Sequence, residues 1–324
     1  MKCLRYVGLF LLWVLILAAV PAPGQTVKAW QGTMDIPTYL LGEEDPNPAF
    51  PLGRHRIYPY TMLDDLTDQK ESKVYRFIGL ENEYLKAIIL PDVGGRLYSL
   101  YDKVDKREVF YRNNVMKYGL VALRGAWISG GIEFNFPDGH TVITVSPVAA
   151  TYHQNADGSA TGVVGSEDWI TGMHWEVALT LRPGSARIEQ HVTLFNPTPT
   201  PNPYWYWANA AVPATPDMQF IYPMREAYPH SLSVWSYPIH QGVDYSWYKN
   251  VRQPTSLFGR QVHRNFFGAY YHESDFGVVH VADYHEVPGK KVWTWGVADD
   301  GLIWTGLLTD HDRGVLDRVL VSGA

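Results

Sequence analysis

Between Arg124 and Thr141 the chain reads Arg-Gly-Ala-Trp-Ile-Ser-Gly-Gly-Ile-Glu-Phe-Asn-Phe-Pro-Asp-Gly-His-Thr, which threads polar and aromatic groups through a short, otherwise apolar stretch broken by glycine. If Ile132, Phe134 and Phe136 point into a core, the two-residue period of a strand sends Glu133 and Asn135 to the opposite face, flanked by Arg124, Trp127 and His140. Gly130-Gly131 permits a close backbone approach, and Pro137-Asp138-Gly139 turns the chain. Imidazole handles protons near neutral pH, and burial can raise a glutamate toward the same range, so Glu133 and His140 are the candidate acid/base pair. His174, on one strand face with Glu176, is an alternative imidazole. Arginine, amide and indole groups suit a ligand rich in hydroxyls, which makes Arg124, Trp127, Asn135, Trp205 and Asn209 the candidate substrate-binding residues. The competing reading is a buried polar network that pins two sheets together.

Other chemistry is less well supported. Glu167 and Asp168 are adjacent, so a strand would point them to opposite faces and they cannot be a facing glycosidase pair; they read as solvated turn residues. Trp205, Trp207 and Asn209 share one strand face, either as a stacking platform or as core. His280, His285 and Glu286 lack the spacing of a helical metal site and read as strand-edge polar residues, so no metal is expected. Gly-x-Ser-x-Gly is absent, which argues against a serine hydrolase, and no phosphate-cradling or dinucleotide motif appears, so no cofactor is expected.

The elements that must position these residues are strands. Segments 33–41, 74–79, 84–90, 96–102 and 108–111 read as strands separated by turns, and 174–196 reads as a hairpin in which Trp175, Val177, Leu179 and Leu181 alternate with polar residues before Pro183-Gly184-Ser185. Further strands are expected at 204–212, 219–222, 268–271, 277–282, 291–297 and 302–308. Residues 231–267 are weakly patterned and rich in Tyr, Trp, His and Pro, and read as a long binding loop. This pattern predicts an all-β fold, an antiparallel sandwich in one domain.

Residues 1 to about 25 have the layout of a secretory signal: Lys2 and Arg5, an apolar run from Val7 to Val20, then Ala22-Pro23-Gly24. The expected mature domain is 26–324, exported to the periplasm or the extracellular space, with no membrane span after cleavage. Cys3 is the single cysteine and precedes the apolar run, so a core rather than disulfides must stabilise the rest. Removing the two cations Lys2 and Arg5 takes the net charge from −6 to −8, and no Lys/Arg run is present to track phosphates, so nucleic acid is not an expected partner. Aromatics make up 14% of the chain, including 12 Trp and 21 Tyr, a composition that fits either sugar stacking or a wide core.

The segment Glu81 to Lys103, with Pro91-Asp-Val-Gly-Gly-Arg96 at its centre, resembles the opening of a galactose-mutarotase-like (aldose 1-epimerase-like) domain. Gly130-Gly-Ile-Glu-Phe-Asn-Phe-Pro137 is similar to the Phe-Pro strand of hexose-phosphate epimerases in that superfamily, and Pro203 to Val212 sits where mutarotases carry a strand ending in Asn-His. Together they resemble a branch of bacterial exported proteins whose mutarotase-like domain often precedes tetratricopeptide repeats. The resemblance implies an antiparallel supersandwich, a carbohydrate ligand, and proton transfer at an anomeric carbon by a histidine and a late glutamate, each step worth about 10²- to 10⁴-fold. The Asn-His position reads Asn209-Ala210 here, and the tail from His311 to Ala324 has neither the late glutamate nor its neighbouring glutamine. The tail therefore reads as truncated relative to relatives, with an unpaired sheet edge expected. Three functions follow as expectations: a carbohydrate-active enzyme of epimerase-like or glycoside-cleaving type, a non-catalytic glycan-binding module, or a structural domain contacting a partner protein.

Overall fold

The computed structural model describes residues 26–46, 57–310 and 316–323. The signal-like segment 1–25, and residues 311–315 and 324 of the tail, lie outside the described residues. Among the described residues, no helix is long and apolar enough to cross a membrane.

A 12-stranded antiparallel sheet forms the frame. Its strands run in the order Lys28–Leu41, Leu66–Glu81, Leu85–Leu90, Arg96–Asp102, Ile132–Asn135, Trp207–Ala214, Leu316–Gly323, Lys290–Thr294, Thr255–Gly259, Glu226–Tyr228 and Trp235–Ser236, with Arg107–Glu108 paired to Arg96–Asp102. A four-stranded antiparallel sheet, Ile188–Phe195, His174–Leu181, Ala160–Glu167 and Ala149–Gln154, covers one face of it. Between the two lies the main core, where Ile78, Ile89, Leu97, Phe134 and Phe136 from the large sheet meet Val164, Val177 and Leu179 from the small one. This is the all-β supersandwich expected from the strand pattern.

Residues around the double glycine fold as their alternation predicts. Phe134 and Phe136 enter the main core, Ile132 packs against it, and Glu133 and Asn135 turn to the far face of the large sheet. Gly131 has φ +64°, and a Cβ there would lie 2.1 Å from the Leu97 carbonyl oxygen, so only glycine lets the two strands close at this point. The hairpin from His174 is paired throughout, His174 opposite Phe195 and Leu181 opposite Ile188.

Several elements differ from the sequence pattern. The expected strand 302–308 is the helix Asp299–Leu308: Asp299 and Asp300 in its first turn oppose the positive end of the helix dipole, and Asn113 and Lys117 donate to the carbonyls of Leu308, Gly306 and Thr309 at its other end. Its apolar residues point both ways, Leu308 buried and Leu302, Ile303 and Leu307 exposed, so neither period stands out. The strand expected from Tyr204 begins at Trp207, because the backbone before it binds instead to the turn at Pro137 through the Trp205 N–H. Residues 231–267 hold short paired strands, Trp235–Ser236, Ile239–His240, Val243–Asp244 and Thr255–Gly259, where a structureless loop was expected. Finally, the tail does not leave an open edge: Leu316–Gly323 pairs with both Trp207–Ala214 and Lys290–Thr294.

Candidate functional site

Neighbouring strands of the large sheet place Glu133 opposite Asn209, and Asn135 opposite Trp207, on the face turned away from the main core. Glu133 is 2% exposed and its carboxylate accepts from four side chains. Its Oε2 accepts hydrogen bonds from Trp127 Nε1 at 3.1 Å, Asn209 Nδ2 at 3.2 Å and His140 Nδ1 at 3.1 Å, and its Oε1 accepts from Thr144 Oγ1 at 2.7 Å. Burial alone would raise this carboxyl, but His140, the Arg96 guanidinium and the Thr144 hydroxyl together hold it well below the usual carboxylate range. Arg96 is itself buried and donates to the Gly130 carbonyl at 2.6 Å.

An ionised carboxylate can only accept, so His140 carries a proton on Nδ1 and its Nε2 is the nitrogen left to meet a ligand. No hydrogen bond to that Nε2 is formed by the described residues. The imidazole is wedged edge-on between two indoles, with ring centroids 5.4 Å from Trp127 and 4.8 Å from Trp207, and its side chain keeps 21% exposure. Trp207 is fixed in turn by its own N–H, which donates to the Gly139 carbonyl at 3.1 Å. The partly exposed imidazole is thus held at the end of a buried network, with Nε2 as its nitrogen not bonded to Glu133.

The other expected residues do not all join this centre. Trp127, Glu133, His140 and Asn209 meet as one cluster, and Asn135 lies beside it, accepting from the Thr141 N–H at 3.0 Å. Arg124 is buried but is occupied elsewhere, donating to the Thr61 carbonyl at 2.6 Å and to Ser146 Oγ at 3.1 Å, so it ties two loops together. His174 is exposed on the small sheet, edge-on to Phe195 at 6.2 Å, in a separate depression with Glu176. The candidate residues therefore do not form one site: alternation places a side chain on a face of its own sheet, and His174 belongs to a different sheet from Glu133 and His140. Glu133 is likewise enclosed by donors, which suits orienting His140 better than touching a ligand.

Trp205 is 47% exposed and, being outside the strand, does not share a strand face with Trp207 and Asn209, although its ring lies 6.1 Å from that of Trp207. It lines a cleft of about 500 Å³ together with Tyr204, Asp138 and Asp168. Asp168, expected to be solvated, is only 4% exposed. His280 packs on Phe267 at 4.7 Å and His285 pairs with Asp283 at 2.9 Å, so the two are not joined.

Residues missed by sequence reasoning complete the picture. Arg96 and Thr144 belong to the Glu133 network; a lone cation opening the apolar strand Arg96–Asp102 was the available signal for the first. Lys291 Nζ lies 5.5 Å over the Trp207 ring and 4.7 Å over Phe258, and burial lowers its pKa to about 8. The alternation of Lys291 with Trp293 and Trp295 pointed to that shared face.

A family model described as a domain of unknown function (DUF5107) matches residues 53–318. Among solved structures, the chain is similar to a TPR-domain containing protein from Parabacteroides distasonis ATCC 8503, at 30% identity and a TM-score of 0.83 over 93% of this chain and 51% of that one. It thus spans about half the length of that protein, whose name carries the repeats that the sequence resemblance associates with the branch. It is also similar to a galactose mutarotase-like protein from Clostridium acetobutylicum, at 10% identity and a TM-score of 0.55 over 77% of this chain and 84% of that one. The fold is accordingly galactose-mutarotase-like, and the chain belongs to the DUF5107 family.

Proposed function

We propose that this is an exported carbohydrate-binding domain, and that His140 Nε2 is the polar contact that receives a sugar hydroxyl at the indole-lined centre. The observation that carries the reading is the imidazole held by a buried, ionised Glu133 and gripped between Trp127 and Trp207. The two indoles are buried, Trp127 at 1% and Trp207 at 6% exposure, so they fix the imidazole in place and leave its edge as the polar contact for a hydroxyl. The likeness to a galactose mutarotase-like protein supports the ligand class. The charged and apolar start of the chain supports export. Binding of a glycan array by the wild-type chain, with His140→Gln weakening the strongest ligand at least about tenfold while the thermal midpoint stays within a few degrees, is the expected result. Unchanged affinity in that variant would remove His140 from the site.

Catalysis is the second reading, and Lys291 is the observation that favours it. Opening a sugar ring needs a base for the anomeric hydroxyl and an acid for the ring oxygen, and His140 alone supplies one of them. Lys291, with its pKa lowered to about 8 by burial and its ammonium over the same Trp207 ring, is the second group able to move a proton near neutral pH. Accelerated exchange between the anomers of D-glucose or D-galactose, followed by NMR and abolished in Lys291→Met, would favour the enzyme. Binding with no exchange and no released reducing sugar favours the module.

A further inference from the structure

The cleft beside the His140 centre holds a feature that neither the core nor that centre explains. Asp168 sits in a turn in which its Oδ2 accepts from the backbone N–H of Thr171 at 2.9 Å and from its hydroxyl at 2.6 Å. Its Oδ1 is buried and has no hydrogen-bond partner among the described residues. A buried carboxylate oxygen without a donor costs stability, so the native fold retains an unmet acceptor here. The turn is also pinned in place: Trp169 stacks on Tyr60 at 5.0 Å, and its N–H donates to the Tyr60 hydroxyl at 3.0 Å.

Asp168 lines the cleft of about 500 Å³ with Tyr204 and Trp205, residues 62% and 47% exposed, and with the exposed Asp138. Exposed aromatic faces beside carboxylate acceptors have the chemistry of a site for a sugar ring, whose hydroxyls donate and whose faces stack. The cleft lies next to the His140 centre, and two features of the chain join them. The turn from Pro137 to Thr141 gives Pro137, Asp138 and Thr141 to the cleft and His140 to the centre. The rings of Trp205, in the cleft, and Trp207, against His140, are 6.1 Å apart.

We infer that this cleft is a second sugar subsite, that Asp168 Oδ1 accepts a hydroxyl there, and that the ligand is an oligosaccharide spanning the cleft and the His140 centre. The inference rests on the carbohydrate reading above and adds the length of the ligand to it. It also gives the exposed Tyr204-Trp205 pair a role that a site for a single sugar does not.

The test is an array carrying each sugar as mono-, di- and trisaccharide, followed by calorimetric titration of the best series against the wild-type chain, Tyr204→Ala and Asp168→Asn. Asparagine keeps an oxygen for the two Thr171 donors, and Tyr204 is exposed, so at least one of the variants retains the fold. In the wild type, the trisaccharide binds at least about tenfold tighter than its own monosaccharide. Each variant loses most of that gain and leaves monosaccharide affinity unchanged. A monosaccharide bound through His140 with no gain from added rings, or a gain that survives both variants, overturns the subsite and leaves the carbohydrate reading intact. Absence of binding by any saccharide, with self-association of the chain through Tyr204 and Trp205, overturns both.

Discussion

At the level of single residues, Glu133 is the pivot, because it gathers donors from Trp127, His140, Thr144 and Asn209 around one buried charge. Removing that charge leaves Arg96 buried without its counter-charge, so Glu133→Gln should lower unfolding stability by about 3 kcal/mol in urea, with contacts elsewhere intact. A shift of less than about 1 kcal/mol would contradict the charge's role. The pH dependence has a definite sign. The folded value of Glu133 lies below the ordinary 4.5, so its contribution is present above about pH 4.5 and is lost as pH falls below it. Stability of the wild type measured from pH 6 to pH 3 should fall more steeply than that of Glu133→Gln. At this scale the sequence showed which face Glu133 and Asn135 occupy and that His140 is near them, since period and turn are local properties. It did not show that Arg124 is spent on Thr61 and Ser146, nor that His174 lies on another sheet, because those partners come from distant segments.

At the level of elements, the double glycine sets the distance between the strand at Ile132 and its neighbour. Gly131→Ala would place a methyl group 2.1 Å from the Leu97 oxygen at a φ of +64°, and should cost at least about 2 kcal/mol by the same urea assay. Little or no loss would mean that these strands are free to separate. The helix Asp299–Leu308 closes the opposite side of the centre: Leu308 is fully buried in a cluster with Trp127, Ala211 and Trp295, and Trp304 stacks on Trp295 at 4.6 Å. Leu308→Ala should destabilise by about 2 to 5 kcal/mol and change the near-ultraviolet signal of the indoles; an unaltered spectrum would show that the helix does not wall the site. Strands with clean alternation, such as His174–Leu181, were legible in the sequence. The helix was not, because its apolar residues face both the core and solvent, and the short strands between Trp235 and Gly259 were too brief to show a period.

At the level of the whole molecule, two packed antiparallel sheets supply the frame, and the His140 centre sits on the face of the larger sheet turned away from the smaller one. The supersandwich was legible from many short strands and from the Gly-Gly-Arg segment at Gly94 to Arg96, whereas the order of strands was not, since Ile132–Asn135 and Trp207–Ala214 are neighbours only after folding. Export is tested on the intact chain: protein recovered from the periplasm of an expressing bacterium should lack the first 25 or so residues by mass, and a full-length mass would contradict it. The central claim concerns one atom, and NMR of the imidazole nitrogens in uniformly labelled protein reads it directly. With the strongest saccharide from the array added to saturation, the His140 Nε2 resonance should move while Nδ1 remains protonated against Glu133. A saccharide that binds and leaves Nε2 unmoved would contradict it.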